Sequence, residues 1–155
     1  MKVYDQTLIE SDTDWIVAEE ETEYSKKDYP FKNETYKLIG IAMSVHSYLG
    51  NGFSEIVYKD ALQEEFNRQR ISFEREKKFE IEYRGIILPH HFYADFVVEN
   101  NIILEVKSQT GIHEEAVPQV VNYLAASKLK IGLIVNFGEG SLKYKRVIFS
   151  RKNRE

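Results

Sequence analysis

The chain has 155 residues, 43% of them hydrophobic and 30% charged, with a net charge of −4. That length suits one domain with a substantial core, and the balance is that of a soluble globular protein. No run approaches the 18 apolar residues of a membrane span, the acidic start is unlike a secretory leader, and the lack of cysteine removes disulfides and thiolate metal sites.

The lack of cysteine fits a reducing compartment, so a cytoplasmic location is expected. Charge is unevenly spread. Residues 1–30 hold nine acids against three bases, and the remaining 125 residues carry a small positive balance. This divides the chain into an acidic extension, 1–30, and a main domain, 31–155. Within the extension, Trp15-Ile16-Val17 interrupts the acidic run as a short strand or turn on the body, or as part of a mobile arm. Such a segment could also lie over a basic groove and compete with nucleic acid.

From Asn33 to Leu49, Leu38, Ile39, Ala42, Val45 and Leu49 recur at helical spacing, with Asn33 or Thr35 as the expected cap. Gly50-Asn51-Gly52 ends that helix. A second helix is expected from about Ser54 to Arg70, with Tyr58, Leu62 and Phe66 as its buried stripe. Continuing the stripe back by three residues lands on Glu55, a carboxylate in the first turn, where the helix dipole favours its ionised form. First-turn capping is the bland alternative.

Phe73 to Tyr83 alternates as a strand, and Arg84-Gly85 turns the chain into Ile86-Ile87-Leu88. Pro89 predicts a bend, bulge or edge there. His90 and His91 are adjacent on a strand and point to opposite faces, so they do not share one metal. After a central hairpin, a helix is expected over about Glu114 to Lys128, starting near Val117 because of Pro118. Gln119 and Tyr123 share one of its faces. Ile131 to Phe137 reads as a strand covered on both sides, and Leu142 to Phe149 as a final strand. The order αα-βββ-α-ββ predicts an α/β sandwich with a central mixed sheet flanked by helices.

The central hairpin, Tyr93 to Lys107, carries three charged groups in apolar strands: Asp95 on the first, Glu105 and Lys107 on the second. Ionised residues are costly to bury there unless paired or metal-bound. Glu105 and Lys107, two apart, project from one face. Two carboxylates and an ammonium meeting there would form a divalent-cation site with a base beside it. Parity tests this. A two-residue loop at Asn100-Asn101 would put Asp95 on the opposite face from Glu105, so the site requires an odd loop or a bulge.

Gly52-x-x-Glu55-x-x-Tyr58, Asp95, Glu105-x-Lys107 and Gln119-x-x-x-Tyr123, in that order, resemble the GxxExxY family of the PD-(D/E)XK nuclease superfamily. Val45-His46 and Leu49-Gly50 add to the likeness, which covers roughly residues 34–149. The chain departs from the pattern in having Ser108 after Lys107 and no histidine immediately before Gln119. The resemblance implies a restriction-endonuclease-like fold and a Mg²⁺- or Mn²⁺-dependent phosphodiesterase acting on nucleic acid, DNA before RNA. It implies Asp95, Glu105 and the Val106 carbonyl as metal ligands, with Glu55 completing the acidic cluster directly or through a water. Lys107 would orient or deprotonate the attacking water, and Gln119 would position the motif. Tyr123, Tyr58, His46, Lys143, Lys145 and Arg146 are the expected substrate contacts. A homodimer is an expectation of the architecture, not of any residue. The competing reading is a module on the same fold that binds nucleic acid or protein without cleaving it.

Overall fold

The computed structural model describes residues 30–111 and 115–149 and the backbone of residues 15–18. Of the strand, turn or arm expected around Trp15–Val17, the strand is present as β1 (Trp15–Ala18). It is followed by α1 (Lys32–Leu49), α2 (Glu55–Arg68), β2 (Phe73–Tyr83), β3 (Ile86–Val98), β4 (Ile102–Lys107), α3 (Ala116–Ser127), β5 (Ile131–Asn136) and β6 (Lys143–Phe149). The rest of the acidic extension, His113 and the basic residues after position 149 lie outside the described residues.

The strands form one six-stranded sheet in the order β1-β6-β5-β4-β3-β2. Only β4 and β5 pair in parallel, joined by the α3 crossover; the other neighbours are antiparallel. The fold is thus the expected α/β sandwich with a mixed sheet, with β1 added beside the final strand.

Each layer follows from its hydrophobic period. On one face, Leu38, Ile39, Ala42 and Val45 of α1 and Tyr58, Leu62 and Phe66 of α2 cover the alternate residues Ile102, Leu104, Val106, Ile131, Leu133 and Val135. On the other, Val117, Val120 and Leu124 of α3 cover Ile103, Ile134 and Val147. Strands β4 and β5 are buried on both sides, which is why they read as unbroken apolar runs. Gly132 permits the close approach of α3: a Cβ there would lie 2.4 Å from Val120 Cγ1.

One local expectation changes. Neither Asn33 nor Thr35 caps α1; Phe31 holds the N-cap in the left-handed region, and Thr35 Oγ1 instead donates back to the Phe31 and Lys32 carbonyls. Ser54 occupies the α2 N-cap without a side-chain bond. Pro89 lies within β3, and the bulge expected there is present. The β2–β3 register slips between Glu80 and Glu82, so three residues of β3 oppose one of β2, and that bulge accommodates the proline.

Candidate active site

The β3–β4 hairpin closes through three residues, Glu99 to Asn101, with Glu99 and Asn100 both in the left-handed region at φ 52° and 60°. Val98 pairs with Ile102, Val97 with Ile103 and Phe96 with Leu104, so opposed residue numbers sum to 200. The loop is odd, as parity requires, and Asp95 falls opposite Glu105.

The ladder stops there, because side chains take over the backbone donors. The Asp95 N–H donates to Glu105 Oε1 at 3.1 Å, and the Val106 N–H donates to Asp95 Oδ2 at 2.8 Å. Beyond this point β3 stays with β2 while β4 stays with β5, and the sheet forks. Strand β3 also turns over at Asp95: Phe96 packs with the helix pair, whereas Ala94 packs with α3. The residue opposite Asp95 on β2 is Glu76, itself in the left-handed region at φ 53°.

Glu105 is 5% exposed. Burial, reinforced by the neighbouring charge of Asp95, pushes its carboxyl up to about 8; a hydrogen bond from the Asp95 backbone and the charge of Lys107 pull the other way. Lys107 is half-buried and shares the Glu105 face, as the two-residue spacing requires. The two neighbouring carboxyl groups both offer hard oxygen donors. Mg²⁺ is commonly held by one or two carboxylates with retained waters, so Asp95, Glu105 and a backbone carbonyl suit it without a third acid.

Glu55 is not drawn into that pair. It lies exposed at the first position of α2, and among the described residues no three His, Cys, Asp or Glu side chains converge as a metal-binding group. The expected direct contact from Glu55 is therefore corrected: its turn is fastened near the end of β4, where Ser108 Oγ donates to the Phe53 carbonyl at 2.7 Å. Gln119 Nε2 donates to the Tyr123 hydroxyl at 2.7 Å, with Gln119 exposed on α3. Burial and then the Glu105 charge raise the Tyr123 phenol above its ordinary value, which sets this pair within the electrostatic reach of the carboxylates. The Tyr123 ring stacks on Phe92 at 4.0 Å, tying α3 to the β2–β3 arm.

Three expected substrate contacts are corrected by where their side chains go. Tyr58 is 0% exposed, stacks on Phe137 at 4.3 Å and donates its hydroxyl to the Gly50 carbonyl; it holds the loop ahead of α2. His46 is buried, with Nε2 2.8 Å from the Glu139 carbonyl. Arg146 pairs across the sheet with Leu133, on the helix-pair face away from Glu105, and its guanidinium lies 5.5 Å from the Tyr144 ring. Lys145 and Lys143 fall on the Glu105 side. Register aligns Glu105, Ile134 and Lys145 in one row, and Lys107, Asn136 and Lys143 in the next.

Two residues are not foreseen by the sequence. Lys59 of α2 reaches the fork, where its ammonium meets Asp95 Oδ1 at 3.0 Å and the Glu76 carboxylate at closer range. Burial draws its pKa down, but the hydrogen bonds and charges of Glu76 and Asp95 outweigh that and leave it raised. Its place four residues after Glu55 was the available signal. Asn136 sits fully buried inside an apolar run. Its amide nitrogen donates to the Gln109 and Gly111 carbonyls and its oxygen accepts from the Gln109 and Gly138 N–H groups, which pins the segment after Lys107. An Asn ending a buried strand was the only sign of it.

The model of the PD-(D/E)XK nuclease superfamily matches residues 32–147. A search of the curated proteins returns no match. Among solved structures, the crystal structure of SSO0001 superposes with a TM-score of 0.50 at 16% identity, covering 79% of this chain and 62% of that one. The chain thus spans less than two thirds of that protein's length, and the likeness is one of fold.

Proposed function

Because the chain belongs to the PD-(D/E)XK nuclease superfamily, we propose that it hydrolyses phosphodiester bonds in nucleic acid, with Asp95, Glu105 and Lys107 as its catalytic set. The observation that carries this reading is the pair of backbone-to-carboxylate hydrogen bonds across the fork in the sheet, Asp95 N–H to Glu105 and Val106 N–H to Asp95. Order in the chain supports a finer placement. Gly52, Glu55 and Tyr58 lead into α2, and Gln119 and Tyr123 follow on α3, as in the GxxExxY family.

Asp95, Glu105 and the Val106 carbonyl would hold Mg²⁺ or Mn²⁺, with Glu55 reaching the ion through a water. A bound divalent cation supplies charge stabilisation at the phosphoryl oxygens and lowers the pKa of an attacking water. Lys107 Nζ would orient the attacking water or, in its neutral form, take its proton. Gln119 and Tyr123 line the approach from α3. Lys145 and Lys143, in the rows of Glu105 and Lys107 on the same side, offer charge for a phosphate backbone, with DNA the expected substrate. The domain that acts is 31–155, with β1 completing its sheet.

A cleavage screen over duplex, single-stranded and branched DNA and over RNA, with Mg²⁺ or Mn²⁺, tests this. Wild-type protein should cut at least one substrate, and Glu105→Ala and Lys107→Ala should each lose about a hundredfold or more in rate. Tight binding without cleavage by wild-type protein would instead favour the non-cleaving module. Sizing the protein with and without duplex tests the expected homodimer.

A further inference from the structure

Lys59 leaves α2 toward the sheet, and its side chain is only 12% exposed. Its ammonium stands at the head of the cross-strand pair Glu76 and Asp95, touching both carboxylates. Asp95 is thereby fully engaged, with Oδ1 on Lys59 and Oδ2 on the Val106 N–H. Glu76 differs from Asp95 in being half exposed at its side chain.

An ammonium and a small divalent cation seek the same thing, a carboxylate oxygen with free lone pairs. Two such cations on one oxygen lie a few ångströms apart, where their repulsion is worth about tenfold or more in affinity. One of them must therefore yield. The lysine stem is long and flexible, and a second acceptor is already in contact with its tip.

We propose that Lys59 is a built-in counter-ion for the carboxylate pair, which holds Asp95 Oδ1 while no metal is bound and withdraws onto Glu76 when a divalent cation takes that oxygen. The proposal rests on the metal-site reading given above. It makes Lys59 a positioning residue and Glu76 its second anchor. Without the lysine, the fork would bring Asp95 and Glu105 together with fewer positive charges to offset them. With it, the metal-free fold is held in a form that the metal must compete to open. A plain fastener between α2 and the sheet would have the same contacts but would not compete.

The test is Mn²⁺ binding to the full chain, without nucleic acid, by titration calorimetry, alongside thermal unfolding with and without Mn²⁺. Lys59→Gln should bind Mn²⁺ about tenfold more tightly than wild type, and should unfold at lower temperature than wild type only when metal is absent. Glu76→Gln should weaken binding several-fold, roughly three to tenfold, because Lys59 then has Asp95 alone. In a Lys59→Gln background the same Glu76→Gln change should have less than about half that effect, since no ammonium remains to be held. Lys59→Arg keeps the charge and the fastening, so it guards against a Gln variant that does not fold; its fork grips a carboxylate more firmly and should weaken Mn²⁺ binding.

Unchanged or weaker binding in Lys59→Gln overturns the proposal, and so does tighter or equal binding in Lys59→Arg. Equal Glu76→Gln effects with and without Lys59 overturn it as well, by showing that Glu76 acts on its own. If Mn²⁺ binds to Lys59→Gln but not detectably to wild type, the proposal is supported. If it binds to neither, the metal reading itself falls and this inference with it.

Discussion

Glu105 is the residue at which the fold and the chemistry pull in different directions. Its carboxyl titrates near 8 in the folded chain against an ordinary 4.5, because burial and the Asp95 charge penalise the ionised form. The folded state therefore binds the Glu105 proton more tightly than the unfolded state. The stabilisation this gives is complete below pH 4.5 and is lost as pH rises through about 8. In metal-free protein the Glu105 contribution should lower the melting temperature across that window, and Glu105→Gln should flatten the decline; melting curves from pH 5 to 9 would show it. Tyr58 makes a second prediction. Tyr58→Phe keeps the ring on Phe137 but deletes the bond to the Gly50 carbonyl, and should cost about 1 kcal/mol in chemical denaturation. Residue chemistry of this kind was only partly legible beforehand. Asp95 and Glu105 stand out as charges in apolar strands, whereas Lys59 looks like any solvated helix lysine until α2 is laid on the sheet. Tyr58 and His46 carry polar atoms that suggest ligands, yet both spend them on backbone carbonyls of loops distant in sequence or adjacent to a helix end.

The elements divide by how local their causes are. Strand β2 and the odd β3–β4 loop follow from period-two alternation and from turn residues that accept the left-handed region, and both are found where the sequence places them. The passage of β3 through Pro89 depends on a bulge against β2, one of the irregularities that the proline itself announces. The fork depends on two side chains capturing two amides, a competition visible only once the register is known. Helix α3 is set at its height above the sheet by Gly132. Gly132→Ala would drive a methyl into Val120, and such overpacking should cost about 1–3 kcal/mol in denaturant unfolding. Lifting α3 also shifts Gln119 and Tyr123, so the same variant should lose activity beyond what its fraction folded explains. Gly138 is tighter still, because an added Cβ would meet the backbone of Gln109 at 2.2 Å, where no side chain can give way. Gly138→Ala should displace the segment that Asn136 pins and be the more damaging of the two by thermal melting.

Across the whole molecule, the sheet sets Glu105 and Lys107 in the same two rows as Lys145 and Lys143. If nucleic acid crosses these rows, Lys143→Ala should weaken binding alike for all sequences and reduce the slope of log affinity against log salt by about 1. Fluorescence anisotropy at several salt concentrations reads that slope. Among the described residues no helix is long and apolar enough to cross a membrane. The six-stranded order also bears on where the chain can be cut. A division at residue 30, drawn from charge alone, runs between β1 and the sheet that β1 completes: Trp15 lies beside Phe149 and Ala18 beside Arg146. A fragment beginning at residue 31 would leave the outer amides and carbonyls of β6 without their neighbour. Bare edges of that kind invite strands from other molecules. Such a fragment should form open-ended aggregates with rising concentration in sedimentation experiments, beyond any dimer of the full chain, so β1 acts as a hem for the sheet.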